Sequence, residues 1–321
     1  MFKKAIVSCA ALLLSAACAG PGPAGDAPDY PNDEIRLIVP YAAGGPTDIA
    51  GRAVARFLER DLGQPVVVEN LLGASATTGT TELVQSKPDG YTIEMATTSP
   101  LVLVPQLQNL GYDKDSVATI GVSMQIASVL AVRADSPYRT AEEFFVAARQ
   151  NPDRITVSLP GANTPQGIEL RRLRDEHGVA LSLVPFNGDA EAVATLLGGN
   201  SDAFFGSSGD VVMSRIRSGE FRALTVGSAQ RLPYLPDTPT FTELGFAGLT
   251  LSTSTYGLVA PDGTPPEITK RLEEALRAAL EDPAVREQIG AEYIPAQFIG
   301  AQDFRSLLDE SWAIYEPILR R

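Results

Sequence analysis

The stretch Glu34–Arg52, EIRLIVPYAAGGPTDIAGR, decides the fold. Ile35, Leu37 and Val39 are apolar at alternate positions and Ile38 is apolar between them, which predicts a short strand buried on both faces. Pro40 ends the run, and Ala43-Gly44-Gly45 lets the backbone turn sharply without a Cβ penalty. Pro46 stands where a first helical residue belongs, because its missing N–H is one of the unpaired donors of a helix start anyway. Thr47 and Asp48 place a short hydroxyl and a negative charge in the first turn, and Ile49, Ala50, Ala53, Val54 and Phe57 recur at helical spacing. A strand, a glycine turn and an exposed helix N-terminus point free N–H groups at whatever sits above the strand, which is the geometry of an anion site. The same turn, taken alone, also serves as an ordinary α/β connection. No lysine follows the glycines and no G-x-G-x-x-G is present, which argues against a nucleotide and leaves a smaller anion such as a carboxylate.

Upstream, Met1-Phe2-Lys3-Lys4 is a basic start and Ala5–Leu14 a short apolar run, the pattern of an export signal over residues 1–17. Leu14-Ser15-Ala16-Ala17-Cys18 resembles a bacterial lipoprotein signal, with Cys18 lipidated as the mature N-terminus. Ser15 replaces the apolar residue usual three places before the cysteine, and cleavage after Ala19 is the alternative. A Gly/Pro/Ala tether through residue 31 fits the lipidated reading. Cys9 leaves with the signal, so the mature chain is expected to hold no disulfide and no thiol cluster for a metal.

The formal charge of −13 argues against nucleic acid and against an anionic membrane face, so membrane contact is expected only through the lipid. Fixed N–H dipoles act on an anion at contact distance, whereas distant surface charge is screened beyond ~8 Å. The single histidine, His177, precedes Gly178 and reads as a solvated helix C-terminus capped by glycine. With no G-x-S-x-G elbow beside it, hydrolase chemistry is disfavoured.

Further along, Gln64–Asn70 and Tyr91–Ala96 predict strands, and Thr97-Thr98-Ser99-Pro100 sets hydroxyls at a strand end before a proline-started helix. Ordinary N-capping explains that cluster equally well. Ile155–Ser158, Leu181–Pro185 and Ala203–Phe205 are strands whose ends carry Pro160–Gln166, Phe186–Asp189 and Gly206–Gly209. Small and hydroxyl-bearing residues at successive strand ends build a ligand crevice. Pro265–Leu280 and Ala301–Leu319 predict helices, with Trp312 packing beside Leu308 and Tyr315.

The segments IRLIVPYAAGGPTD, LGQPVVVEN and KPDGYTIEMATTS, followed in order by SLPG, VPFNG, LLGGNSD and YGLVAPDGTP, resemble the solute receptors of tripartite tricarboxylate transporters, the Bug-type receptors. The resemblance covers essentially the whole mature chain. It implies a two-lobed α/β fold of the periplasmic-binding-protein type (type II-like) with an interlobe ligand cleft. Lobe one is placed at residues 32–120 plus 224–321, and lobe two at 121–223.

It further implies a monomeric, non-enzymatic receptor without cofactor or metal, which binds a small organic acid and presents it to the membrane permease of the same transporter. A sensory receptor feeding a kinase, or an enzyme on the same lobes, are the alternatives. Since Tyr41–Asp48 and Gly161–Gln166 contain no Arg or Lys, the carboxylate is expected to be held by the helix starts at Gly44, Gly45 and Thr47 and at Gly161, Ala162, Asn163 and Thr164. Ala43 belongs to the first of these turns. Thr97, Thr98, Ser99, Ser207 and Ser208 add hydroxyls, Tyr41 and Phe186 apolar walls, and Asn187 and Gly188 the second lobe's edge. Asp48 reads either as a cap closing back on Gly45 or as a contact for a ligand amino group, with Arg52 pairing to it one turn later. Three positions depart from the family pattern: Asn187 where a basic residue is frequent, Asn163 where a second glycine is usual, and Gly167 where histidine is common. Loss of the charge at 187 leans away from a tricarboxylate, towards a mono- or dicarboxylate with an amide or aromatic body.

Overall fold

The computed structural model describes residues 30–320. The expected export signal, Cys18 and nearly all of the tether lie outside the described residues. No helix among the described residues is long and apolar enough to cross a membrane.

The first half runs β1 (Ile35–Val39), α1 (Pro46–Leu62), β2 (Val66–Asn70), α2 (Thr77–Gln85), β3 (Thr92–Thr97) and the short α3 (Val104–Leu107). Then come β4 (Val117–Arg133), α4 (Ala141–Gln150), β5 (Thr156–Leu159), α5 (Pro165–His177), β6 (Ser182–Pro185), α6 (Asp189–Leu197), β7 (Ala203–Ser207), α7 (Asp210–Arg217) and β8 (Phe221–Val226). The chain closes with β9 (Thr253–Pro261), α8 (Pro266–Glu281), α9 (Pro283–Ile289) and α10 (Ala301–Leu319). The strands form one ribbon in the order β2-β1-β3-β9-β4-β7-β5-β6, with β8 also on β4.

β4 organises this ribbon. Its first eleven positions, Val117–Ala127, pair antiparallel with β9, and Ser128–Arg133 pair with β7 and β8. One strand therefore belongs to two sheets, and register shifts after Thr119 and Val122 let it bend between them. Parallel β1, β2 and β3 extend the first sheet, and parallel β5, β6 and β7 the second. Both expected lobe boundaries fall inside continuous strands, 120/121 in β4 and 223/224 in β8. The second sheet's core also keeps Phe241, Phe246 and Leu249, so the return to the first sheet comes only after them.

Each sheet has its own apolar core. Ile38, Leu83, Val102, Val259, Phe304, Leu308 and Tyr315 pack together in the first, with Trp312 half-buried against them. In the second, Phe144, Phe145, Phe205, Phe241 and Phe246 meet mostly edge to face at 4.7–6.1 Å, a geometry that adds about 0.5–1.5 kcal/mol per pair beyond burial. The opposite face of that sheet packs Leu196, Phe204, Met213 and Val226. These cores fix the strand ends, and the strand ends position the loops described next.

Candidate ligand-binding cleft

The β1–α1 turn forms as its sequence requires. Gly44 has φ +82°, the left-handed region that favours glycine, and Gly45 caps α1 in an extended conformation before Pro46. Asp48 closes the turn, but on Gly44 rather than Gly45: the Gly44 N–H donates to its Oδ2 at 2.9 Å. Arg52 Nε donates to Oδ2 at 3.0 Å and Asn70 Nδ2 to Oδ1 at 2.9 Å. Burial works against the Asp48 charge, yet the bonds from Arg52, Gly44 and Asn70 outweigh it and hold the carboxyl below its usual value. Its acceptors are thus occupied within the turn, and it does not reach the cleft wall.

Opposite, Thr164 caps α5. Its Oγ1 accepts from the Gly167 N–H at 3.3 Å and donates to the Gly161 carbonyl at 2.8 Å. A Cβ on Gly167 would lie 2.1 Å from the Ala162 carbonyl oxygen, so no side chain fits there while this loop keeps its shape. Arg171 donates to the Ala162 carbonyl at 2.7 Å. A third helix start, α6, follows Gly188 at φ +154° and opens with Asp189.

These three starts surround one narrow cleft whose cavity is about 20 Å³. The α1 turn contributes Tyr41, Ala42, Gly45, Pro46 and Thr47, and the end of β3 contributes Thr97, Thr98 and Ser99. From the second sheet come Pro160, Thr164, Pro165, Gln166, Gly188, Asp189 and Ser207, and from β9 come Ser254 and Tyr256. The cleft is closed over its loops. The Ala42 N–H donates to the Asn187 carbonyl at 3.0 Å, and Ser99 Oγ to the Asn163 carbonyl at 2.6 Å.

Nine of the residues expected at the site therefore line it: Tyr41, Gly45, Thr47, Thr97, Thr98, Ser99, Thr164, Gly188 and Ser207. The others stand apart, for identifiable reasons. Ala43 and Gly44 turn outward to solvent. Gly161, Ala162 and Asn163 form the loop below the α5 start, their carbonyls taken by Thr164, Arg171 and Ser99. Phe186 packs into the second sheet's core, and the exposed Asn187 bonds to Glu191 through its N–H at 3.1 Å. Ser208 lies behind the wall, its hydroxyl on the Ala127 carbonyl and Tyr234 at 2.8 Å each.

Sequence reasoning missed four polar wall residues, Gln166, Asp189, Ser254 and Tyr256. Gln166 Nε2 donates to Ser128 Oγ at 2.8 Å and Ser254 Oγ at 3.1 Å. Tyr256 OH shares a 2.8 Å hydrogen bond with Ser207 Oγ, and burial raises its phenol above the ordinary value. Tyr41 pairs with Thr97 Oγ1 at 3.0 Å, and burial pushes it up to about 12. Asp189, buried at 6% exposure, accepts the Ser207 N–H on Oδ1 at 3.0 Å. Burial pushes its carboxyl up to about 6, while the Ser207 bonds act the other way. None of the described residues on this wall is Lys or Arg.

The profile of the tripartite tricarboxylate transporter family receptor (TctC) matches residues 50–321. The chain belongs to this family. TctC proteins are solute-binding receptors, and their membership places this chain among extracytoplasmic binding proteins. The periplasmic binding protein BugD superposes with a TM-score of 0.81 at 29% identity, covering 91% of this chain and 98% of its own. MatC from Rhodopseudomonas palustris, solved with bound malate, gives 0.83 at 26% identity over 90% of this chain and 100% of its own. R. palustris Rpa4515, solved with adipate, gives 0.82 at 26% over 91% and 98%. This TctC receptor thus has the two-lobed periplasmic-binding-protein fold with its cleft between the sheets.

Proposed function

We propose that this receptor captures a small organic acid in the cleft and delivers it to the permease of a tripartite tricarboxylate-type transporter. The observation that carries the reading is the convergence of three helix starts and several hydroxyls on one cleft whose wall, among the described residues, holds no Lys or Arg. Helix positions N1–N3 have no i−4 partner, and the prolines at 46 and 165 leave Thr47 and Gln166 as the first N–H donors of α1 and α5. Hydrogen bonds to a charged carboxylate contribute roughly 1.5–3 kcal/mol each. Several such bonds suffice for micromolar binding, which needs about −8 kcal/mol. Malate in MatC and adipate in Rpa4515 support a carboxylate as the ligand class.

The lobes of this reading divide where β4 and the chain entering β9 cross, at Ser128 and Ser252, whose Oγ–carbonyl bond of 2.5 Å joins the crossings. Closure is a hinge motion about these strands. Isothermal calorimetry against a panel of organic acids tests the reading: micromolar binding of at least one carboxylate is expected, and silence across the panel refutes it. Co-purification of the receptor with membrane subunits tests delivery separately.

A further inference from the structure

One wall residue does not suit a plain carboxylate. Asp189 is itself a carboxylate, more than nine-tenths buried, and it lines the cleft that receives the acid. It is seated there by design of the backbone: a Cβ on Gly206 would lie 2.2 Å from its Oδ1, so only glycine allows the approach. Among the described residues of the cleft wall there is no cation for its charge to meet. Arg52 is committed to Asp48 and Asn70, and Arg171 to the Ala162 carbonyl. The Ser207 N–H donates to Asp189, and the same cleft holds the hydroxyls of Ser207, Tyr256, Tyr41 and Thr97, which accept hydrogen bonds as readily as they donate. A buried charge without a cation is costly, and burial pushes the carboxyl up to about 6 although Ser207 bonds to it.

Resting on the cleft being the ligand site, we infer that the ligand is an ammonium-bearing carboxylic acid, an amino acid, whose ammonium faces Asp189 while its carboxylate faces the starts of α1 and α5. The ammonium supplies the counter-charge that the wall lacks, and its three N–H donors match a carboxylate in a cleft lined by hydroxyls. An acid without that group brings a second anionic or an apolar end to Asp189, and gains nothing there. The wall thereby separates two ligand classes that helix starts alone treat alike.

Matched pairs test this on the unaltered receptor: calorimetry with L-aspartate against succinate, L-glutamate against glutarate, and L-alanine against propionate. At least one amino acid is expected to bind roughly tenfold or more tightly than its deaminated partner. Asp189→Asn is expected to lose about the same factor for that amino acid and to gain affinity for the partner. If the deaminated acids bind the unaltered receptor as tightly or more tightly, the inference is overturned and the organic-acid receptor stands. If neither series binds a protein that melts in a single sharp transition, the organic-acid reading itself falls, and this inference with it. Should Asp189→Asn fail to fold, the pairs on the unaltered receptor still decide.

Discussion

Gln166 Nε2 donates to Ser128 Oγ at 2.8 Å, so a residue of the cleft wall is anchored on the strand shared by both sheets. Ser128 Oγ in turn donates to the Ser252 carbonyl at the second crossing, and Gln166 also reaches Ser254 on β9. A ligand that touches Gln166 therefore touches a side chain already bonded to both crossing strands. Gln166→Leu keeps the volume and removes the two donors. Leaving buried hydroxyls short of a partner costs about 1–3 kcal/mol. The expected outcome is a stability loss in that range by urea denaturation and a weaker response to the best ligand of the calorimetric panel. Unchanged stability would show that these bonds do not hold the crossing.

A second expectation concerns Gly206→Ala. The new Cβ would lie 2.2 Å from Asp189 Oδ1 and 2.3 Å from the Phe204 ring, contacts no real Cβ tolerates. Either the ring or the carboxylate moves, and overpacking of this kind costs about 1–3 kcal/mol. Because β7 is paired with β4 on one side and β5 on the other, the backbone has little room to yield. Thermal unfolding is expected several degrees lower, with the best ligand's affinity reduced in step.

The opening turn was legible before any coordinates because each of its residues answers a local demand: Gly44 its positive φ, Pro46 its N1 place, Asp48 its closing bond. Thr164 was placed at a helix start, but its capping bond to the Gly167 N–H appears only in the structure. Tyr256 was not legible. It reaches the cleft because β9 returns antiparallel to β3 and sets Tyr256 opposite Thr97, a pairing some 160 residues distant in the chain. Asp189 read only as the last residue of the strand-end loop Phe186–Asp189, and only the packing of α6 against β7 buries it. The expected lobe boundaries fall inside β4 and β8, because a 17-residue strand that serves two sheets gives no break in its apolar pattern. Local chemistry is written in the segment, whereas the direction of a side chain across a sheet is written in its partner.

Asp48→Asn tests the turn. At neutral pH the variant loses a charged acceptor for the Gly44 N–H and the Arg52 pair, a cost of about 2–3 kcal/mol for bonds to a charged group. The Asp48 carboxyl is held below its ordinary value in the folded protein, so its contribution is fully present above pH about 4 and fades as pH falls through the folded value. The gap in unfolding free energy between the two proteins is therefore expected to be widest near neutrality and to narrow below pH about 4. A gap independent of pH would assign Asp48 a purely steric role.

Glu94 gives the opposite sign. It lies fully buried on β3, accepts from Thr80 Oγ1 at 2.7 Å on Oε1, and leaves Oε2 without a partner. Burial pushes it from 4.5 to about 8, against which the Thr80 bond acts weakly. The folded protein thus keeps a proton that the unfolded chain releases, and stability declines as pH rises from about 4.5 to about 8, with the full cost present above that. Glu94→Gln retains the acceptor for Thr80 and has no charge to bury. It is expected to match the parent near pH 5 and to exceed it by up to a few kcal/mol near pH 9, several degrees in melting temperature. Melting curves of both proteins across that range check the sign directly: a variant no more stable than the parent at pH 9 would mean that Glu94 is ionised without cost in the folded receptor.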